Sequence, residues 1–276
     1  MASDPLHPAR TYLFVPGTRP ERFAKALASG ADRVVLDLED AVGVDDKGDA
    51  RSAIATWLQH AIPMDRSRVV VRINDAGSPW FAADLAALAA VRPTAVLLPK
   101  VEAVAQVAET RDALRGVGIL ALIESARGVS DVDHIAAAGV ERLVFGTLDF
   151  ALDLDMDIST HASGLWYAAS RIAVASRLAA LPSPVAGVTP QLDDEERLLS
   201  DLAEARRFGF GAKLCVHPRQ VQPIHVALHP GAQALDWAER VLAADAASPG
   251  AARLDGRMVD RPVVLQAQRT LGLART

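Results

Sequence analysis

The 276-residue chain has a single cysteine, Cys215. One cysteine makes no internal disulfide and no thiolate metal cage. No stretch approaches the ~18 uninterrupted apolar residues that a membrane-spanning helix needs. The opening MASDPLHPAR lacks the apolar core of a secretory signal, so a cytoplasmic protein is expected. There is no basic block: 29 Lys+Arg stand against 34 Asp+Glu, a formal net charge of −5, which argues against a nucleic-acid or anionic-membrane partner. Missing too are a GxGxxG after a strand, a GxxxxGK[ST] loop and a GxSxG elbow, so nucleotide cradles and serine-nucleophile chemistry lack their signatures. The histidines have no metal-ligand spacing, and His217, before Pro218, reads better as a hydrogen-bonding side chain than as a general base.

What is present is a repeated pattern. Eight short apolar runs recur: TYLFV (11–15), RVVLDL (33–38), RVVVRI (68–73), AVLLP (95–99), ILALI (119–123), RLVFG (142–146), PVAGV (184–188) and AKLCV (212–216). They are near-continuous, as parallel strands buried on both faces are. Segments with helical spacing lie between them, among them 20–29, 102–114, 161–181 and 193–208. This predicts an α/β fold, a (β/α)8 TIM barrel over 1–225, with a small C-terminal helical extension over 226–276. An open doubly wound sheet is the competing arrangement, but polar residues follow almost every strand. They are Asp37, Glu39 and Asp40, then Arg72 and Asn74, Lys100, Glu124, Asp149 and His217. In a barrel these ends converge on one mouth.

Glu124 and Asp149 end successive strands, and neighbouring strands lie about 4.8 Å apart. Two carboxylates so placed can share a hard cation such as Mg²⁺, or each can cap the helix that follows it. Arg72 ends a buried run, where a guanidinium requires an anionic partner. That partner is a substrate oxygen, or the Asp37, Glu39 and Asp40 turn, whose other role would be to hold metal-bound waters from behind. Arg19 and Lys25 flank a helix start at Pro20, which fits either a phosphate site or a solvated basic face.

The runs LFVPGTRPERFAKAL (13–27), VVLDLEDAV (34–42), VVVRIN (69–74), LLPKVE (97–102), ALIESARG (121–128), FGTLDFALDL (145–154) and KLCVHPRQ (213–220) resemble the HpcH/HpaI aldolase and citrate lyase β-subunit (CitE-like) family. The tail LDGRMVDRPVVLQAQRTL (254–271) is similar to that family's C-terminal segment. The resemblance implies a TIM-barrel homotrimer or hexamer and a Mg²⁺-dependent carbon–carbon lyase, with Mn²⁺ as a substitute. Its substrates would be a β-hydroxyacyl-CoA thioester or, in reverse, an acyl-CoA and a small 2-oxoacid such as glyoxylate. It implies Glu124 and Asp149 as metal ligands, Arg72 as a catalytic cation, Arg72 and Glu124 as substrate-binding residues, and Phe14, Arg19 and Lys25 as coenzyme A contacts. Asp260 matches an acid–base aspartate that relatives deliver to a neighbouring subunit; by its own context it reads as a helix cap before Pro262. Ala186 stands where many relatives carry an acidic residue, which would remove one carboxylate from the mouth. Alternatives are a citrate lyase β subunit acting on a citryl-carrier-protein thioester, a free-acid class II aldolase, and a non-catalytic CoA-binding barrel.

Overall fold

The computed structural model describes residues 9–159, 161–248 and 252–274. Residues 1–8 of the N-terminal segment read above for a signal, and most of the loop preceding residue 252, lie outside them.

Eight parallel strands form a closed barrel in sequence order: β1 (Thr11–Pro16), β2 (Arg33–Asp37), β3 (Val69–Arg72), β4 (Ala95–Leu98), β5 (Gly118–Ile123), β6 (Arg142–Phe145), β7 (Val185–Ala186) and β8 (Ala212–Cys215). Closure is made by β1 against β8, with Thr11 opposite Lys213 and Leu13 opposite Cys215. Each strand lies within the apolar run that predicts it, or within a residue of it. The shortest is β7, which keeps two residues of PVAGV; Pro184 has no N–H to give the ladder.

Side chains alternate between the barrel axis and the surrounding helices. Tyr12, Val35, Val70, Leu97, Leu122 and Val144 belong to one buried cluster at the axis, with Val185 and Leu214. At the amino-terminal end Arg142 lies with its guanidinium 5.7 Å from the Tyr12 ring centre and donates to the Ala9 carbonyl at 2.6 Å. At the other end, two residues beyond members of the axial cluster, come Phe14, Asp37, Arg72 and Glu124. The strand period thus carries these four to the carboxyl-terminal mouth.

The helices bury one stripe each against the barrel. The helix Lys47–His60 places Ala50, Ile54 and Leu58 inward at four-residue intervals. The helix Glu195–Arg207 is capped by Asp194, whose side chain accepts from the Arg197 N–H at 2.8 Å. Its acidic first turn and basic last turn complement the helix dipole.

The chain divides into two compact units, one spanning Ala9–Ile224 and the other containing the residues from His225 on. In the second, helices Ala232–Ala247 and Arg261–Ala274 pack around Ala238, Val241, Ala252, Val259 and Ala267. A hairpin of β9 (Ala252–Leu254) and β10 (Arg257–Val259) connects them. Its two-residue turn, Asp255-Gly256, has φ of 50° and 77°, the left-handed pair that a tight hairpin requires. No helix among the described residues is long and apolar enough to cross a membrane.

Candidate active site

The mouth is organised around Arg72. Its Nε and Nη2 grip the two oxygens of Asp37 at 2.7 and 2.6 Å, a bidentate pair between adjacent ends of β2 and β3. Nη1 lies 2.8 Å from Glu39 and 3.3 Å from Asp40. The guanidinium also sits 4.8 Å from the centre of the Phe14 ring. The Asp37, Glu39 and Asp40 turn therefore does partner Arg72. The second N–H of Nη2 has no partner among the described residues, so the cation keeps a donor to offer.

Glu39 is more strained electrostatically. Burial, outweighing Arg72 and Lys100, pushes its carboxyl up to about 7. Its Oε2, though close to Arg72 Nη1, makes no aligned hydrogen bond. Lys100 holds the other oxygen, Oε1, at 2.8 Å.

Glu124 follows β5 and is 4% exposed. It does not cap the next helix: Ser125 does, accepting from the Gly128 N–H at 3.1 Å. Its Oε1 accepts one hydrogen bond, 2.7 Å from the Lys100 N–H, and Oε2 accepts none from the described residues. Lys100 has φ of 49°, a left-handed conformation unusual for a residue with a side chain, and this turn aims its amide at Glu124. Asp149 lies in the first turn of the helix Thr147–Asp153, whose N-cap is Gly146. Burial first, then the charges of Asp149 and Glu39, push the Glu124 carboxyl up to about 8. Glu124 thus accepts a single hydrogen bond from the described residues while the charge of Asp149 disfavours its ionisation, an arrangement that a bound cation would relieve.

Gly146 makes room for this arrangement. A Cβ there would lie 2.4 Å from Glu124 Oε2 and 2.6 Å from its Cβ. Gly146→Ala is expected to displace Glu124, costing about 1–3 kcal/mol of stability and about 10- to 100-fold in divalent-cation affinity. Thermal unfolding and a Mg²⁺ titration on the same preparation check both effects.

Among the described residues no group of three or more His, Cys, Asp and Glu side chains is arranged to hold a metal. Glu124 and Asp149 fit an ion that takes one or two carboxylates and completes its octahedron with waters and substrate oxygens, as Mg²⁺ does.

Other residues singled out in the sequence fall elsewhere. Asn74 is tied down by Asp84, which accepts from its N–H at 2.9 Å and from Nδ2 at 2.7 Å. Asp84 in turn holds Arg51 at 2.7 Å, so this is a buried structural network. His217 caps the short helix Pro218–Gln220 by accepting from the Arg219 N–H at 3.2 Å. Arg19 lines a cavity of about 420 Å³ with Thr18, Asp46 and Asp49, whereas Lys25 is exposed on the helix Phe23–Leu27 and does not line it. Ala186 corrects the sequence reading: Val185 faces the barrel axis, so Ala186 points outward to the helices, away from the mouth. Asp260, in the second unit, caps the helix Arg261–Ala274, accepting from the Val263 N–H at 3.2 Å. Sequence reasoning missed Lys47, whose buried ammonium donates to the carbonyls of Leu38 and Glu39 at 2.7 Å each and fixes the acidic turn from behind.

Known proteins share this architecture. A citrate lyase subunit beta-like protein of Mycobacterium tuberculosis is 38% identical over 265 residues, covering 94% of this chain and 93% of the relative. A (3S)-malyl-CoA thioesterase of Cereibacter sphaeroides is 31% identical over 273 residues, covering 97% and 95%. The crystal structure of CitE from Mycobacterium tuberculosis, in complex with magnesium, acetoacetate and coenzyme A, superposes with a TM-score of 0.87 at 37% identity. That likeness covers 98% of this chain and 100% of the other. Residues 10–218, nearly the whole barrel, match the family described as HpcH/HpaI aldolase/citrate lyase, and the chain belongs to that family.

Proposed function

We propose that this protein is a carbon–carbon lyase that cleaves or forms a β-hydroxyacyl-CoA thioester, the partners being an acyl-CoA and a 2-oxoacid such as glyoxylate. The observation that carries the reading is the buried carboxyl of Glu124, pushed up by the charge of Asp149, beside a fixed guanidinium with a donor to spare. The magnesium and coenzyme A of the related CitE structure support the same chemistry.

Glu124 and Asp149 would hold Mg²⁺, or Mn²⁺ in its place. When bound, that ion supplies a Lewis acid for the oxygens of the 2-oxoacid. In cleavage, the hydroxyl proton passes to solvent water at the open mouth and the bond between the α and β carbons breaks. Its electron pair passes to the acyl fragment as a thioester enolate, and the hydroxyl carbon becomes the oxoacid carbonyl. Arg72 stabilises the enolate oxygen through the N–H that Asp37 leaves free, an electrostatic task suited to a guanidinium already clamped in place. Asp37, Glu39 and Asp40 keep that cation oriented. Asp260, contributed by the C-terminal unit of a neighbouring subunit in a trimer or hexamer, returns the proton to the α carbon and removes it in synthesis. Phe14, Arg19 and Lys25 are assigned to the coenzyme A moiety.

The test uses the purified full-length protein with Mg²⁺, acetyl-CoA or propionyl-CoA, and a panel of 2-oxoacids. New acyl-CoA species are followed by mass spectrometry, with an EDTA control. An EDTA-sensitive hydroxyacyl-CoA product is expected. Absence of product with coenzyme A binding intact would overturn the reading in favour of a carrier-protein thioester or a silent barrel. Absence of coenzyme A binding would overturn it in favour of a free-acid aldolase.

A further inference from the structure

A second cavity, of about 530 Å³, lies beside the carboxyl-terminal ends of β6 and β7, with Thr147 and Leu148, which immediately precede Asp149, in its lining. It is bounded by the outward faces of β6, β7 and β8, represented by Phe145, Ala186 and Lys213, and by the helices Trp166–Leu178 and Glu195–Arg207. The space exists because small side chains meet there: Ala162, Ala169, Ala186 and Ala205 line it. Leu165, Trp166, Phe208 and Phe210 supply apolar wall. Its volume is in the range of small-molecule sites.

One wall residue is out of keeping with this lining. Lys213, on the outward face of β8 and 2% exposed, stands in register beside Ala186. Its Nζ makes one hydrogen bond among the described residues, to the Gly187 carbonyl at 2.8 Å, and no ion pair. The cavity's own acids are already engaged. Asp201 accepts from Thr189 Oγ1 at 2.6 Å and from Arg197 Nε at 2.8 Å, and Glu204 accepts from the Trp166 indole N–H. Arg197 is further occupied by the carbonyls of Ser159 and Ile158. A buried amine with donors left over, no carboxylate in contact, and an apolar chamber beside it is an incomplete arrangement. Burial, opposed by Asp201, lowers the lysine to about 8, and a bound carboxylate would supply the counter-charge that the protein omits.

We propose that this cavity is a binding site for a small apolar monocarboxylate, its carboxylate on Lys213 and its hydrocarbon or aromatic body against Trp166, Phe208 and Phe210. The proposal rests on Lys213 and the apolar lining and does not depend on the function assigned to the mouth. A carboxylate is favoured over a phosphate ester because the walls offer one unengaged cation and no further free donor cluster.

The probe is 3-phenylpropionate, titrated into the full-length protein by calorimetry, with 3-phenylpropionamide as its uncharged isostere. Saturable binding of the acid is expected, at least tenfold tighter than that of the amide, and unchanged by saturating acetyl-CoA and Mg²⁺. Lys213→Met keeps the side chain's bulk and is expected to lose at least tenfold in affinity for the acid while leaving the amide unaffected. Ala169→Leu, which fills the chamber and leaves the lysine, is expected to abolish binding of both, and it stands in if the lysine variant does not fold. A soaked crystal should show the carboxylate within hydrogen-bond distance of Lys213 Nζ. Equal affinity for acid and amide, competition by acetyl-CoA, no saturable binding, or density at the mouth alone would each overturn the proposal.

Discussion

Glu124→Gln is expected to lower turnover about a thousandfold while making the metal-free protein more stable at alkaline pH. The kinetic loss follows from removing one of the two carboxylates proposed to hold the Lewis acid, an interaction worth several kcal/mol in the transition state. The gain in stability follows from the environment of the carboxyl. Its folded pKa, about 8, lies above the unfolded value of 4.5. Between those values the folded state binds more protons than the unfolded one, so metal-free stability falls as pH rises through that window. Glutamine does not ionise and escapes that fall. The two proteins should have similar stability near pH 4.5 and diverge above it, the variant leading by on the order of a few kcal/mol at pH 8. Glu39, also raised, to about 7, titrates in both proteins and largely cancels in the comparison. Urea unfolding in EDTA at a series of pH values reads this out. A variant less stable than wild type at pH 8 would mean that Glu124 is held by contacts that the mouth does not display.

Arg72→Met should have the opposite thermodynamic sign. It removes the shared partner of Asp37, Glu39 and Asp40, the first two of which are buried. Stranding buried carboxylates costs about 3–5 kcal/mol, far more than deleting an exposed ion pair. The loss should be larger above about pH 7 than below it, because Glu39, pushed up to about 7, protonates in acid and no longer needs the cation. Arg72→Lys keeps the charge but not the fork on Asp37, so it should retain part of the stability. If Arg72 also serves the enolate, kcat should fall for both variants at temperatures where both remain folded. A lysine variant with wild-type kcat would confine Arg72 to a structural role.

The barrel was legible because its signal is redundant: eight apolar runs, each followed by a helical stripe and most trailed by polar residues. The positions at the mouth were legible for the same reason, since Asp37 and Arg72 fall at the end of an apolar run and Glu124 just beyond one. What the runs hide is parity. A strand apolar on both faces does not say which residue points to the axis, and so Ala186 was read into the mouth when it faces the helices. Lys213 was hidden in AKLCV by the same ambiguity. Asn74 followed its strand like a site residue, but its partner Asp84 sits in the helix Phe81–Val91, and nothing local announces that pairing. Lys100 was noticed by position, whereas its work is done by a backbone amide turned left-handed, a property that belongs to the turn and not to the side chain. Asp255-Gly256 did carry a local hairpin signal, and the short strands around it went unread in a tail judged helical.

The central claim, a divalent-cation site made by Glu124 and Asp149, is most directly tested by Mg²⁺ titration calorimetry near pH 7 in two buffers of different ionisation enthalpy. A carboxyl pushed up to about 8 is largely protonated there and must shed its proton to bind metal. The account predicts one Mg²⁺ site, close to one proton released per ion bound, and loss of both in Glu124→Gln. Binding that is independent of buffer and unchanged in the variant would place the metal elsewhere and contradict it.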